Sequence, residues 1–184
     1  MKTRNLFFSG LSLAILIFFG QGCDRTPDLD LPAQSTTGAN TLGCLINNRV
    51  WTNYGTRCYT FGCDDSNLRA NLFKTSDGKH EFLVYADYTV RSKRIFQSLN
   101  LYIPDLTGVG DFDLSEESIV FIAADGDDNT FINDVGTGQL RILRYDTINS
   151  IVSGEFSGTL TSKISKKKLD ITEGRFDVKI DKPW

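Results

Sequence analysis

The sequence predicts an all-β protein: an antiparallel β-sandwich of about eight to ten strands, with a lipocalin-like β-barrel as the alternative. From residue 44 onward, short runs alternate between apolar and polar residues, and clusters of Gly, Asn, Asp and Ser separate them. No helical period is sustained after that point, and strands do not alternate with helices, which disfavours a parallel α/β fold.

Two neighbouring runs give the clearest strand pattern. In HEFLVYADYTV (residues 80–90), one face carries Phe82, Val84, Ala86, Tyr88 and Val90. In the following run, RIFQSLNLYIP, the matching face carries Ile95, Leu99, Leu101 and Ile103. The charged stretch RSKR (residues 91–94) between them predicts a turn, so we expect two adjacent antiparallel strands with one core face each.

Glycines shape the last two predicted strands. In IVSGEFSGTLTS, Gly154 and Gly158 lie on the same face as Phe156, which leaves room for a large neighbour to lie across the strand. In the final segment the apolar phase changes at TEGR, so we expect a bulge or turn near Gly174. The run SIVFIAAD is apolar on both faces, as in a central strand.

The first 40 residues predict export and anchoring. Lys2 and Arg4 precede an apolar run from Leu6 to Phe19, which is the layout of a signal peptide over residues 1–22. Gly20, Gln21 and Gly22 then precede Cys23, an arrangement that resembles a bacterial lipoprotein signal; a soluble secreted product is the alternative. We expect a lipid on Cys23, a flexible tether over residues 23–40 and an all-β domain over 41–184.

Charge excludes one class of partner. Without residues 1–22 the chain keeps 18 basic and 23 acidic residues, a formal net charge of −5. Nucleic-acid binding requires a strongly basic face, so none is predicted. We expect the protein to lie in the bacterial cell envelope, anchored by lipid to the outer membrane, on either its periplasmic or its outer face.

The remaining cysteines predict a disulfide, because an exported chain meets an oxidising compartment. The candidates are Cys44, Cys58 and Cys63, and the sequence leaves the pairing open. A zinc site built from these cysteines and His80 is an alternative use.

Two charged stretches are candidate ligand sites. In DGDDNTFINDVG, the oxygen-bearing residues Asp125, Asp127 and Asn129 alternate as in a calcium-binding loop, although Thr130 and Gly136 depart from the EF-hand pattern; a solvated acidic connection is the alternative. The second stretch, KISKKKLD, gathers Lys163, Lys166, Lys167 and Lys168. It predicts either a charged hairpin tip or a contact with lipid headgroups or polyanions.

Several segments resemble a family of exported Bacteroidetes lipoproteins classed as a domain of unknown function. In that family a Gly-Cys-x-x-Asn-Gly strand with a nearby Trp opens the domain and a Gly-Arg-Phe-Asp strand closes it. The matching residues here are Gly43, Cys44, Asn47, Trp51, Gly174, Arg175, Phe176 and Asp177. This chain has Asn48 where the family often has Gly, and adds Cys58 and Cys63. The resemblance implies an exported, lipid-anchored all-β domain and assigns no activity.

The sequence therefore favours a non-enzymatic envelope module that binds a protein or a glycan. The alternatives are a hydrolase of envelope or extracellular polymers and a carrier of a small apolar ligand. No catalytic residue and no cofactor are predicted, apart from the calcium candidate at Asp125, Asp127 and Asn129 and the alternative zinc site.

Overall fold

The computed structural model describes residues 28–59, 62–64, 66–123 and 130–181. The strands are β1 (Thr41–Ile46), β2 (Arg49–Thr52), β3 (Arg57–Tyr59), β4 (Gly62–Asp64), β5 (Leu68–Lys74), β6 (His80–Val90), β7 (Ile95–Ile103), β8 (Gly110–Asp113), β9 (Ile119–Ala123), β10 (Thr130–Asp146), β11 (Ile151–Ser162) and β12 (Lys168–Lys179). A 3₁₀ turn (Arg91–Lys93) separates β6 from β7.

The strands form one large antiparallel sheet in the order β2-β1-β12-β11-β10-β9-β7-β6-β5, and β8 also pairs with β10. The strands β3 and β4 form a separate two-stranded hairpin. The large sheet curls into a half-barrel, so its concave face encloses the core. The prediction of an all-β, antiparallel fold is confirmed.

Apolar side chains from both halves of the curled sheet meet in one core cluster. The ring of Phe82 on β6 lies 6.0 Å from that of Phe176 on β12, and the ring of Trp51 lies 6.1 Å from that of Phe121. These contacts join strands that are not neighbours in the sheet, so burial of apolar surface stabilises the curl itself.

The strands β6 and β7 begin where the alternating pattern predicts them. Phe82, Val84, Ala86, Leu99 and Leu101 are all buried, as expected of a core face. The predicted turn at 91–94 is the 3₁₀ turn, and it ends at Arg94 in the left-handed conformation (φ 55°). The prediction for β9 holds only on its inner face, because Ile122 is 37% exposed on the outer face.

Gly154 of β11 accommodates a large ring, as predicted, whereas a Cβ on Gly158 would meet the backbone of Gly138 and Thr137 at 3.0 Å rather than a ring. A Cβ on Gly154 would lie 2.8 Å from Cζ of Phe176, the residue opposite it in register. The arrangement is reciprocal, because a Cβ on Gly174 would lie 2.7 Å from the ring of Phe156. The predicted bulge lies just before Gly174, where Glu173 takes a positive φ of 52° and the register shifts between Phe156 and Gly158.

Two contacts bring the ends of the curled sheet together. Tyr54, just after β2, forms a parallel bridge with Tyr88 of β6, and its N–H donates to the carbonyl of Asp87 at 2.9 Å. At the other edge the N–H of Asp181 donates to the carbonyl of Ala70 on β5, also at 2.9 Å. Backbone groups at the sheet edges are thus paired within the chain, which limits pairing with other chains.

Residues 31–40, predicted as part of a flexible tether, lie instead along the outer face of the sheet. We call this segment the strap. Beside β1, a Cβ on Gly43 would lie 2.5 Å from Cδ of Pro32. The carbonyl of Thr36 accepts a hydrogen bond from Nη1 of Arg144 at 2.5 Å, and Oδ1 of Asn40 accepts one from the N–H of Lys179 at 2.8 Å. Residues 23–27 of the predicted tether lie outside the described residues.

Candidate functional site

Three of the predicted ligand residues and the predicted anchor fall outside the described part of the chain. The calcium candidates Asp125, Asp127 and Asn129 lie in residues 124–129, and Cys23 lies in residues 1–27. Among the residues that are described, no three His, Cys, Asp or Glu side chains are grouped closely enough to hold a metal ion.

The cysteines occupy different environments. Cys44 is a free, fully buried thiol on β1, and burial raises its pKa to about 12, so it does not form the reactive thiolate at neutral pH. Cys58 and Cys63 are directly opposite each other in the β3–β4 hairpin. Directly opposed Cα atoms of an antiparallel pair are about 4.5–5.5 Å apart, which lies within the range that a disulfide requires.

A groove of about 770 Å³ lies among the described residues on β8, β10, β11 and β12. Its volume falls within the range of about 300–1,000 Å³ that is usual for ligand pockets. Charged and polar side chains of the outer face line it, whereas its apolar lining residues, Phe112, Leu140 and Phe156, lie on the core side of their strands. The strap contributes Gln34 to one wall.

A row of alternating charges crosses the groove. Asp111 on β8 is opposite Arg141 on β10, Arg141 is opposite Glu155 on β11, and Glu155 is opposite Arg175 on β12. We call these four side chains the charge row. Directly opposed side chains on one face of a sheet are neighbours, so each charge in the row lies beside one of opposite sign.

The charged groups of the groove also have specific partners. Nε of Arg141 lies 3.7 Å from Oδ1 of Asp111, and Nη2 of Arg175 lies 3.1 Å from Oε2 of Glu173. Glu155 accepts a hydrogen bond at 2.5 Å from Nε2 of Gln34. The row therefore presents both donors and acceptors along a line that the register of four paired strands sets.

Asp177 holds the strap beside the groove. Its carboxylate is 1% exposed and accepts hydrogen bonds from the N–H groups of Thr37, Gly38 and Ala39 at 2.9, 2.8 and 3.0 Å. Burial raises the pKa of Asp177, but these three donors and the hydroxyl of Ser35 outweigh that effect, so that the pKa lies below its usual value. The wall that Gln34 forms thus depends on a buried carboxylate.

The residues that match the family resemblance mainly have structural positions. Gly43 makes room for Pro32 of the strap, and Trp51 is buried in the core, where Nε1 donates to Oε1 of Gln97 at 3.0 Å. Asn47 and Asn48 turn the chain from β1 to β2 with φ of 49° and 62°. Asn tolerates this left-handed region better than most residues, so both positions suit the tight turn.

The charge row was missed at the level of sequence. Its members are spread over residues 111–175, and only the pairing of four strands brings them together. The sequence carried one signal for it, the alternation of inward and outward side chains along a strand. Arg141 and Glu155 each lie between core residues of their own strands and therefore point outward.

In comparisons with known proteins, no family model, curated protein or solved structure matches this chain. No helix long and apolar enough to span a membrane occurs among the described residues.

Proposed function

We propose that this chain is a lipid-anchored, non-enzymatic module of a bacterial cell envelope, attached to the outer membrane. The module binds an envelope or extracellular glycan in the groove. The supporting observation is the charge row on the outer face of the sheet. Each charge in the row has a neighbour of opposite sign, and with Asp113 and Glu173 the groove carries four carboxylates against two guanidinium groups, which disfavours an anionic ligand. That arrangement suits a neutral, polyhydroxylated ligand better than a strongly charged one.

The form of the groove supports the same class of ligand. Carboxylates, guanidinium groups and the amide of Gln34 supply acceptors and donors along one line, which matches the many hydroxyl groups of a glycan. A peptide would satisfy part of this chemistry, and it is the competing ligand in the test below.

Arg141→Ala is expected to weaken glycan binding at least about tenfold, since it removes a charged donor from the middle of the row. The measurement is affinity electrophoresis and calorimetry of the membrane-extracted protein against envelope polysaccharides and a peptide library. The Arg141 side chain is 63% exposed, so the melting temperature should stay within a few degrees of the wild type.

Lys74→Ala, at an exposed position on the edge strand β5, is the matched control and should bind like the wild type. Equal binding by the wild type and Arg141→Ala would refute the groove as the site. If only peptides bind, the ligand of the groove is a protein and not a glycan. Release of shortened glycans by the wild type would favour the alternative function, a polymer hydrolase.

We also propose that Cys23 carries the lipid and that Cys58 and Cys63 form a disulfide. The supporting observations are the signal-like N-terminus, the opposition of Cys58 to Cys63 and the burial of Cys44 as a free thiol. The intact mass of the membrane-extracted protein should show a chain that starts at an acylated Cys23. In denaturant, an alkylating reagent should modify one thiol before reduction and three after it.

Cys23→Ser is the control, because it should abolish membrane attachment and leave the thiol count unchanged. Three reactive thiols before reduction would contradict the disulfide. An unmodified, soluble chain that begins at Cys23 would contradict the anchor and leave export in place.

A further inference from the structure

The strand registers sort the connections between strands into the two ends of the half-barrel. The end of β11 pairs with the start of β10 (Ser162 with Phe131), and the end of β6 pairs with the start of β7 (Val90 with Ile95). The end of β9 pairs with the starts of both β10 and β7 (Ile122 with Thr130 and with Ser98). The β6–β7, β9–β10 and β11–β12 connections therefore all lie at one end. The β1–β2 turn lies at the same end, because the N–H of Asn47 donates to the carbonyl of Asp170, near the start of β12.

Positive charge is concentrated at this end, which we call the basic end. The basic residues at or next to its described connections are Arg49, Arg91, Lys93, Arg94, Lys163, Lys166, Lys167 and Lys168. Of these, Lys163 pairs with Glu116 and Glu117, whereas the side chains of Lys166, Lys167 and Lys168 form no ion pair with a described residue. The sequence between β9 and β10, which lies outside the described residues, contains three aspartates.

The opposite end has a different composition. The charged residues at or next to its connections at 75–79, 104–109 and 147–150 are Lys74, Asp77, Lys79, Asp105 and Asp146. Lys79 lies 3.9 Å from Asp77. The two ends thus differ in the density of basic side chains, although the domain as a whole is acidic.

Exposed apolar side chains accompany the positive charge. Ile164 projects from the lysine-rich β11–β12 turn with 77% of its surface exposed, and Phe96 at the start of β7 is 45% exposed. Ile148 at the opposite end is 92% exposed, but the charged side chain beside its turn is Asp146. The basic end is therefore the place where an exposed apolar residue and a group of lysines occur together, as in surfaces that bind membranes.

The course of the strap gives an independent indication of direction. Asn40 contacts Lys179 at the end of β12 that lies away from the basic end. Going back along the chain, Thr37 contacts Asp177, and Pro32 lies against Gly43, which is opposite Arg175. The strap thus runs from the opposite end toward the basic end as it approaches Cys23.

From these observations we propose that the basic end is a membrane-facing surface, which seats its lysines on anionic lipid headgroups and inserts Ile164 among them. This inference rests on the proposed anchorage through Cys23, whose chain leads toward the same end. It places the groove on the side wall of the half-barrel, where a ligand can reach it.

The test uses the full, membrane-extracted chain reconstituted in vesicles of phosphatidylethanolamine and phosphatidylglycerol, with brominated lipids as quenchers of tryptophan fluorescence. Ile164→Trp should be quenched at least twofold more than the matched variant Ile148→Trp, after subtraction of the wild-type signal. Adding Lys166→Glu and Lys167→Glu to Ile164→Trp should abolish the difference, and so should vesicles of phosphatidylcholine alone.

Flotation of the same vesicles separates the two proposals. If the protein floats with the vesicles and Ile164→Trp is quenched no more than Ile148→Trp, the membrane-facing surface is refuted while the anchor stands. If the protein does not float at all, both are refuted. A fluorescence response of Ile164→Trp to soluble dextran sulfate without quenching by lipid would also overturn the proposal and make a soluble polyanion the partner.

Discussion

Replacing Asp177 with alanine is expected to lower the free energy of unfolding by about 2–4 kcal/mol, because it removes a buried charged acceptor from three N–H groups at once. The strap would lose its main attachment, so the amides of residues 34–40 should exchange with solvent much faster than in the wild type. Urea unfolding at pH 7 measures the first effect, and hydrogen exchange measures the second.

The pH dependence of this effect has a definite sign. The pKa of Asp177 is lower in the folded protein than the value of about 3.9 that is usual in an unfolded chain. The stabilisation is therefore fully present above about pH 4 and is lost as the pH falls through the folded-state pKa. The stability difference between the wild type and Asp177→Asn should accordingly shrink as the pH falls from 5 to 2.

Asp170→Asn is a suitable control, since Asp170 is exposed on the same strand and accepts one side-chain hydrogen bond, from Thr159. It should cost about 0.5 kcal/mol or less. A difference between the wild type and Asp177→Asn that is the same at pH 7 and at pH 2 would show that the carboxylate charge does not hold the strap.

Gly154→Ala is expected to destabilise the protein by about 2–3 kcal/mol, because the added methyl group has no space. Its Cβ would lie 2.5 Å from the carbonyl oxygen of Arg141 and 2.8 Å from Cζ of Phe176. The backbone oxygen cannot move away without disturbing the β10–β11 pairing. Urea unfolding measures the loss, and Thr161→Ala on the outer face of β11 should stay within about 0.5 kcal/mol of the wild type.

A double variant separates the two clashes of Gly154→Ala. Combining it with Phe176→Leu removes the ring. If the ring is a main obstacle, the double variant should lose less free energy of unfolding than the two single variants lose in sum. Additive losses would assign the clash to the Arg141 carbonyl alone. Wild-type stability of Gly154→Ala itself would contradict the tight crossing of ring and glycine.

The strands β6 and β7 and the role of Gly154 were predictable because their determinants are local. An alternating pattern fixes which side of a strand is buried, and a glycine beside it shows where a ring can cross. The strap was not predictable in this way, because its sequence has no apolar period. Its order comes from Asp177, at least 138 residues further along the chain, and from Gly43.

The candidate site was less predictable than the fold. An outward-facing arginine or glutamate looks like any solvated residue until the register of four strands sets Asp111, Arg141, Glu155 and Arg175 side by side. The candidate residues that the sequence did single out have short-range patterns instead, such as Asp125, Asp127 and Asn129. Spacing along the chain detects sites built from one loop, whereas this groove is built across a sheet.

The strap also determines how far the domain can move if Cys23 is its anchor. The segment between Cys23 and Asn40 would reach on the order of 55 Å when fully extended, but with the strap bound to the sheet the leash, the stretch from Cys23 to the strap, can span at most about 30 Å. A shorter leash raises the local concentration of the domain for partners in the same membrane by about two- to threefold. Ligands farther from the membrane surface than the leash reaches would be inaccessible, so the groove would bind ligands in the layer directly next to the lipid.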